Sequence, residues 1–286
     1  MNKKLLVPFG LKYNPFGLNL PTDGLLVTPR LQNFFWRVSN ALLREGGFAM
    51  ILGESGSGKS KALQLLVEYL GNQEEVVFGV LSRPQSRLGD FYRELGELFG
   101  VDIRPHNRWG GFKMLRQTWQ EHLDTRCIRP ILLIDEAQEM SPDVLSELRV
   151  LASTRLDAKV ILSVVLAGDA RFLDLLRLPV LVPLAGRIRF RLTLEPSNRD
   201  ELRDYLIHLI TQAGNAQLVT PELIVTLADH AHGNLRVLVN MGNELLTEAM
   251  HKGVAVLDEK LFLQLYDPTR GSRPAQTQKP ARNAAR

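Results

Sequence analysis

Two short stretches of the chain carry residues whose types and spacing suit phosphate chemistry. The first is Gly53-Glu54-Ser55-Gly56-Ser57-Gly58-Lys59-Ser60, which fits the pattern G-x-x-x-x-G-K-[ST]. Glycines there allow positive φ and let backbone N–H groups approach phosphate, and a helix starting at the lysine adds its partial positive charge. Lys59 then reaches the β and γ phosphates, while the Ser60 hydroxyl binds Mg²⁺. The second stretch, Ile131-Leu132-Leu133-Ile134-Asp135-Glu136, runs four apolar residues straight into two carboxylates. Acids at the end of a buried strand are costly unless they meet a cation or water. Asp135 is expected to complete the Mg²⁺ site and Glu136 to orient or deprotonate an attacking water. The alternative is that the pair merely caps a helix beginning near Ser141.

These residues need a scaffold, and the surrounding pattern supplies one. Phe48 to Leu52 is a short apolar run of the kind shown by a strand buried on both faces, and helical spacing follows from Lys59 to Leu70. Buried strand and helix go on alternating. Strands are expected over Val76–Leu81, Ile131–Ile134, Val160–Ala167 and Ile188–Leu194, with helices near Leu88–Phe99, near Phe112–Leu123 and from Pro142. Such alternation implies an α/β domain, a parallel sheet wrapped by helices, with the first and third strands ending side by side over the site. After Glu195-Pro196-Ser197-Asn198 only helical patterns remain, which reads as a small all-helical lid. The expected organisation is an irregular, Pro- and Gly-punctuated strap over 1–27, the α/β domain over 28–195 opened by a helix after Thr28-Pro29, the lid over 196–267, and a tail over 268–286.

Composition narrows the class. A chain of 286 residues with a net charge of +4 and 45% hydrophobic residues is expected to be globular. No apolar run approaches the roughly 20 residues of a membrane-spanning helix, no secretory signal opens the chain, and a single cysteine, Cys127, excludes an internal disulfide. A reducing cytoplasm fits these features. The histidines lack metal-ligand spacing, and Phe34, Phe35 and Trp36 read as packing residues of the early helix. The tail carries Arg270, Arg273, Lys279, Arg282 and Arg286 with no acid, and reads as a disordered basic segment that either contacts nucleic acid or solubilises the end.

Taken together, the phosphate loop, the strand ending in Asp-Glu and the helical lid resemble AAA+ ATPases. Tyr13-Asn14-Pro15-Phe16, Ile134-Asp135-Glu136-Ala137-Gln138, Val165-Leu166-Ala167-Gly168-Asp169 and Gly233-Asn234-Leu235-Arg236 are similar to the group that holds ExeA-type ATPases and TnsC/MuB-type transposition regulators. The resemblance covers roughly residues 9 to 265. It implies ATP as cofactor, a homo-oligomer (ring or helical filament) and sites completed by a neighbouring subunit. Arg187 stands where the group places its arginine finger, Arg236 where it places the sensor arginine of the lid, and Asp169 at the sensor position after the fourth strand. Leu235 replaces the usual proline, and Asp169 an uncharged polar residue. Phe16 and Pro29 are expected to flank the adenine.

The resemblance leaves two functions. Secretion ATPases of the group carry a membrane span and a wall-binding domain, neither of which is read in these 286 residues, whereas transposition regulators end soon after the lid, which is the expectation followed here. They assemble on duplex DNA with ATP, mark the target and recruit a transposase, in concert with a target-selection factor. A DNA-tracking surface needs Lys and Arg aimed at phosphates. Two segments read as loops that qualify: Arg83 to Arg87, and Arg104 to Lys113, where Arg104, Arg108 and Lys113, with Arg116 just beyond, are the candidate DNA contacts.

Overall fold

The computed structural model describes residues 6–72, 76–81, 84–103, 107–154 and 159–266. Helix α1 spans Pro29–Arg44, with Thr28 Oγ1 accepting from Leu31 N as its cap. It leads into β1 (Phe48–Gly53), then α2 (Lys59–Gly71), β2 (Val76–Leu81), α3 (Leu88–Phe99), α4 (Arg108–Thr125) and β3 (Arg129–Ile134). Next come α5 (Pro142–Leu151), the two-residue strands β4 (Ser153–Thr154) and β5 (Lys159–Val160), β6 (Ser163–Gly168), α6 (Ala170–Leu176), α7 (Val182–Ala185) and β7 (Ile188–Leu194).

The main sheet is parallel in the order β2-β3-β6-β1-β7. Its strands are apolar throughout because both faces are covered, and alternate residues serve opposite layers. Met50, Leu132, Ile134, Val164 and Leu166 pack with α3, α4 and α5 on one side. On the other, Ala49, Ile51, Ile131, Leu133, Val165 and Ala167 pack with α1 and α2. The order corrects one expectation: β6 lies between β1 and β3, so the first and third strands do not end side by side. The run read as one strand over Val160–Ala167 is also divided. Ile161 N and Leu162 N both turn to the carbonyl of Ala152, which takes them out of the ladder.

Arg129 ties these parts together. Its guanidinium donates to Leu43 O (3.1 Å), Arg44 O (2.8 Å) and Val160 O (2.9 Å), and Ser163 Oγ donates to Leu42 O (2.9 Å). The carbonyls at the end of α1, which the helix itself leaves without partners, are thereby satisfied.

Beyond β7 the lid consists of α8 (Arg199–Gln212), α9 (Pro221–His230), α10 (Leu235–Lys252) and α11 (Glu259–Tyr266) around its own core. The strap is less separate than its punctuation suggests. Leu6, Phe9, Leu11 and Phe16 belong to the lid core, whereas Leu20 and Leu25 pack beneath α1 and α2. Lys12 N donates to Ala213 O at 2.8 Å, Asn14 Nδ2 to Asn243 Oδ1 at 2.9 Å and Asn215 Nδ2 to Phe9 O at 2.8 Å. Phe16 lies so close to Gly242 that a Cβ there would come within 2.6 Å of its ring. Phe34 and Phe35 are core residues as expected, but Trp36 is 61% exposed, because it falls on the outward side of α1. The tail from Asp267 onward lies outside the described residues.

Candidate nucleotide site

The phosphate loop joins β1 to α2, and its glycines are required by geometry. Gly56 and Gly58 have φ of 83° and 98°, in the left-handed region that side chains avoid. A Cβ on Gly53 would come within 2.3 Å of Ser57 Oγ. Lys59 opens α2, is buried, and its Nζ donates to Gly53 O (2.9 Å) and Glu54 O (3.2 Å). One lysine thus spans the loop at the helix N-terminus, where first-turn N–H groups have no helical partner. Ser57 Oγ is buried with no hydrogen-bond partner among the described residues. A polar atom left unmade in a glycine-cradled loop fits an incoming oxygen-rich anion. Glu54, Ser55 and Ser60 are exposed along the loop.

Asp135 and Glu136 follow directly on β3. The helix-cap alternative for them fails, since Ser141 caps α5 itself through Val144 N at 3.4 Å, and a 3-10 turn over Ala137–Glu139 intervenes. Glu136 adopts φ 52°, unusual for a residue with a side chain, and its N–H donates to Asp135 Oδ1 at 2.9 Å. Among the described residues no three His, Cys, Asp or Glu side chains cluster to hold a metal. Ser60 and Asp135, the expected ligands, would hold a Mg²⁺ ion only together with phosphate oxygens and water, as is usual for that ion.

Gln138 is a site residue that the sequence reading passed over. It is buried; its Nε2 donates to Glu136 Oε2, and its Oε1 accepts from Asp169 N at 3.2 Å. One amide thus joins the Asp-Glu turn to the end of β6. Asp169 caps α6 through Arg171 N (2.9 Å) and pairs with the Arg171 guanidinium at 2.8 Å. That hydrogen bond, opposed by partial burial and assisted by Lys59, holds its carboxyl below the usual carboxylate range. The repulsion expected between an aspartate and phosphates is therefore offset by Arg171.

The lid reaches the loop directly. Arg236 Nη1 donates to Ser55 Oγ at 3.0 Å and Arg236 N to Gly56 O at 3.3 Å. Arg187, just ahead of β7, instead donates to Arg149 O (3.1 Å) and Ser153 Oγ (3.2 Å) at the C-terminal end of α5. β7 is an edge strand, with Arg189 and Arg191 exposed on one face and Ile188 and Leu192 buried on the other.

Of the candidate DNA contacts, Arg104 lies outside the described residues, as does Arg83. The expected helix near Phe112–Leu123 starts earlier, at Arg108, because Asn107 caps α4 through Gly110 N at 2.8 Å, so Arg108 and Lys113 stand on the same helix as Arg116 and not in a loop. The glycine pair that disguises this start has a packing reason: a Cβ on Gly111 would come within 2.9 Å of Ile103. Arg108 pairs with Glu147 at 2.6 Å. Arg116 donates to Val150 O and Ser153 O, committing it to the end of α5. Lys113 lies 5.0 Å from the centre of the Trp109 ring, which stacks on Phe112 and is 65% exposed.

A parallel sheet of this strand order, with a helical lid roofing its phosphate loop, is the AAA+ P-loop ATPase fold, and ATP with Mg²⁺ is the ligand set its residues fit. The comparisons with known proteins agree at that level. The family model described as AAA domain matches residues 43–176. General secretion pathway protein A of Aeromonas hydrophila is 28% identical over 249 residues, which cover 86% of this chain and 45% of that protein, so the chain spans less than half the length of this curated relative. Among solved structures, the Aeropyrum pernix ORC2 protein in ADPNP–ADP complexes aligns with TM-score 0.72 at 18% identity, over 90% of this chain and 72% of its own. The Aeropyrum pernix ORC1 protein in complex with DNA aligns with TM-score 0.68 at 17% identity, over 87% and 68%. No helix among the described residues is long and apolar enough to cross a membrane.

Proposed function

We propose that the chain is a cytoplasmic AAA+ regulator of DNA transposition that hydrolyses ATP, assembles into a ring or filament on duplex DNA, marks a target site and engages a transposase and a target-selection factor. The observation that carries the nucleotide part is the buried Lys59 within a glycine-cradled loop that Arg236 touches from the lid. Mg-ATP, when bound, would supply the phosphoryl group to be transferred to water and a cation that offsets phosphate charge. Lys59 neutralises phosphate charge, Ser60 and Asp135 hold the ion, and Glu136, oriented by Gln138, takes the proton of the attacking water. Arg236 reports phosphate occupancy to the lid. Arg187 leaves the end of α5 to serve a neighbouring protomer's site as its finger, so ATP favours the assembly and its loss releases it.

The DNA part is supported by the exposed Trp109 and Lys113, the Trp109 ring stacked on half-buried Phe112, and by a similar fold having been solved in complex with DNA. Similarity to a general secretion protein favours a second reading, a secretion or envelope-assembly ATPase that engages protein rather than DNA. Filter binding of labelled duplex across a salt series, with and without ATP, separates the two. Salt-sensitive, nucleotide-dependent retention is expected, and its absence removes the transposition reading.

A further inference from the structure

We infer that Asn234 is a positioning residue that ties the lid to the phosphate loop through a single amide. It precedes α10, an 18-residue helix, and its Oδ1 accepts from Arg236 N (3.0 Å) and Val237 N (3.2 Å), satisfying two N–H groups of the first turn. The other end of the same amide faces the loop, where Nδ2 donates to Ser55 O at 3.0 Å. Both halves of the side chain are thus engaged, one on each domain.

Approach this close is possible only because residue 56 has no side chain. A Cβ on Gly56 would lie 2.2 Å from Asn234 Oδ1, so this glycine serves the lid as well as its own positive φ. The turn behind Asn234 is fixed too. Gly233 has φ 83°, and its carbonyl accepts from Ser197 N at 3.0 Å, in the segment that leaves β7 for the lid. Asn234 therefore stands between the connection of the two domains and the phosphate loop, and it sets where Arg236 enters. A shift of the Ser55 carbonyl is transmitted through this amide to the backbone N–H groups of Arg236 and Val237, separately from the contact that the Arg236 guanidinium makes with Ser55 Oγ.

Serine at 234 isolates the donor, because it caps a helix about as well as asparagine but has no group that reaches Ser55 O. The experiment uses the full chain, wild type and Asn234→Ser, with spin labels on the exposed Cys127 and on Thr247→Cys of α10. Without nucleotide, the label distance distribution is expected to broaden in Asn234→Ser while the melting temperature stays within a few degrees; an unchanged distribution overturns the inference. Calorimetry with Mg-ADP is expected to show binding weakened about three- to tenfold, the worth of one hydrogen bond. Equal affinity in the two proteins also overturns it, as does loss of melting temperature equal to that of Asn234→Ala, which would make the residue a helix cap alone. The inference rests on the loop taking a nucleotide; wild type without heat of binding defeats that reading, whereas the label distances test the tie independently.

Discussion

Gln138→Leu removes both amide contacts of this buried side chain while keeping its bulk. The bond to the Glu136 carboxylate, being to a charged acceptor, is worth about 1.5–3 kcal/mol, and stranding the Asp169 N–H costs about 1–3 kcal/mol. The first quantity is withdrawn from the orientation of Glu136. If that carboxylate prepares the attacking water, the barrier rises by the same amount, and kcat for ATP falls about 10- to 150-fold. The second is withdrawn from the junction of the Asp-Glu turn with the end of β6, and should appear as a melting temperature lower by a few degrees. Mg-ADP affinity, which involves neither atom, should stay within about twofold. Steady-state turnover, calorimetry and a thermal melt on the same preparations separate the three quantities. A kcat within about twofold of wild type, or an increase, would refute the role given to Gln138.

Further substitutions test the frame and the other faces. Arg129→Met should destabilise the α/β domain in denaturant titration, by about 1.5–3 kcal/mol for each bond to a charged donor that the carbonyls of Leu43, Arg44 and Val160 lose. Gly242→Ala should displace Phe16, lower stability by about 1–3 kcal/mol and expose the strap to limited proteolysis. Lys113→Ala should weaken duplex binding and reduce its salt slope by about one, whereas Arg116→Ala should reduce stability and leave the slope unchanged, because Arg116 is committed to Val150 and Ser153. Lys59→Ala should abolish the calorimetric signal with Mg-ATP in a protein that still melts cooperatively.

Local chemistry is what the sequence made legible. Gly53 to Ser60 could be placed because its glycines answer a requirement of the backbone at the same positions, and the first long helix could be started at Thr28-Pro29 because a hydroxyl followed by proline is a start signal in itself. Long-range choices were not. That β6 pairs between β1 and β3 depends on strands far apart in the chain, and no period of residues encodes it. Arg116 and Arg187 look like free cations in sequence, yet both donate to the end of α5, a carbonyl demand visible only once that helix has been packed. Gln138 was overlooked for a similar reason: its two partners are a neighbour in sequence and the end of another strand.

The strap has a mechanical consequence. Its first part is built into the lid and its second part into the α/β domain, so the lid is joined to that domain by two lengths of chain, this one and the connection after β7. A body hung from one tether can turn in any direction, whereas one hung from two is restricted mainly to swinging about the line between its attachments. Whatever drives the lid, its travel is steered as a door is by a pair of hinges.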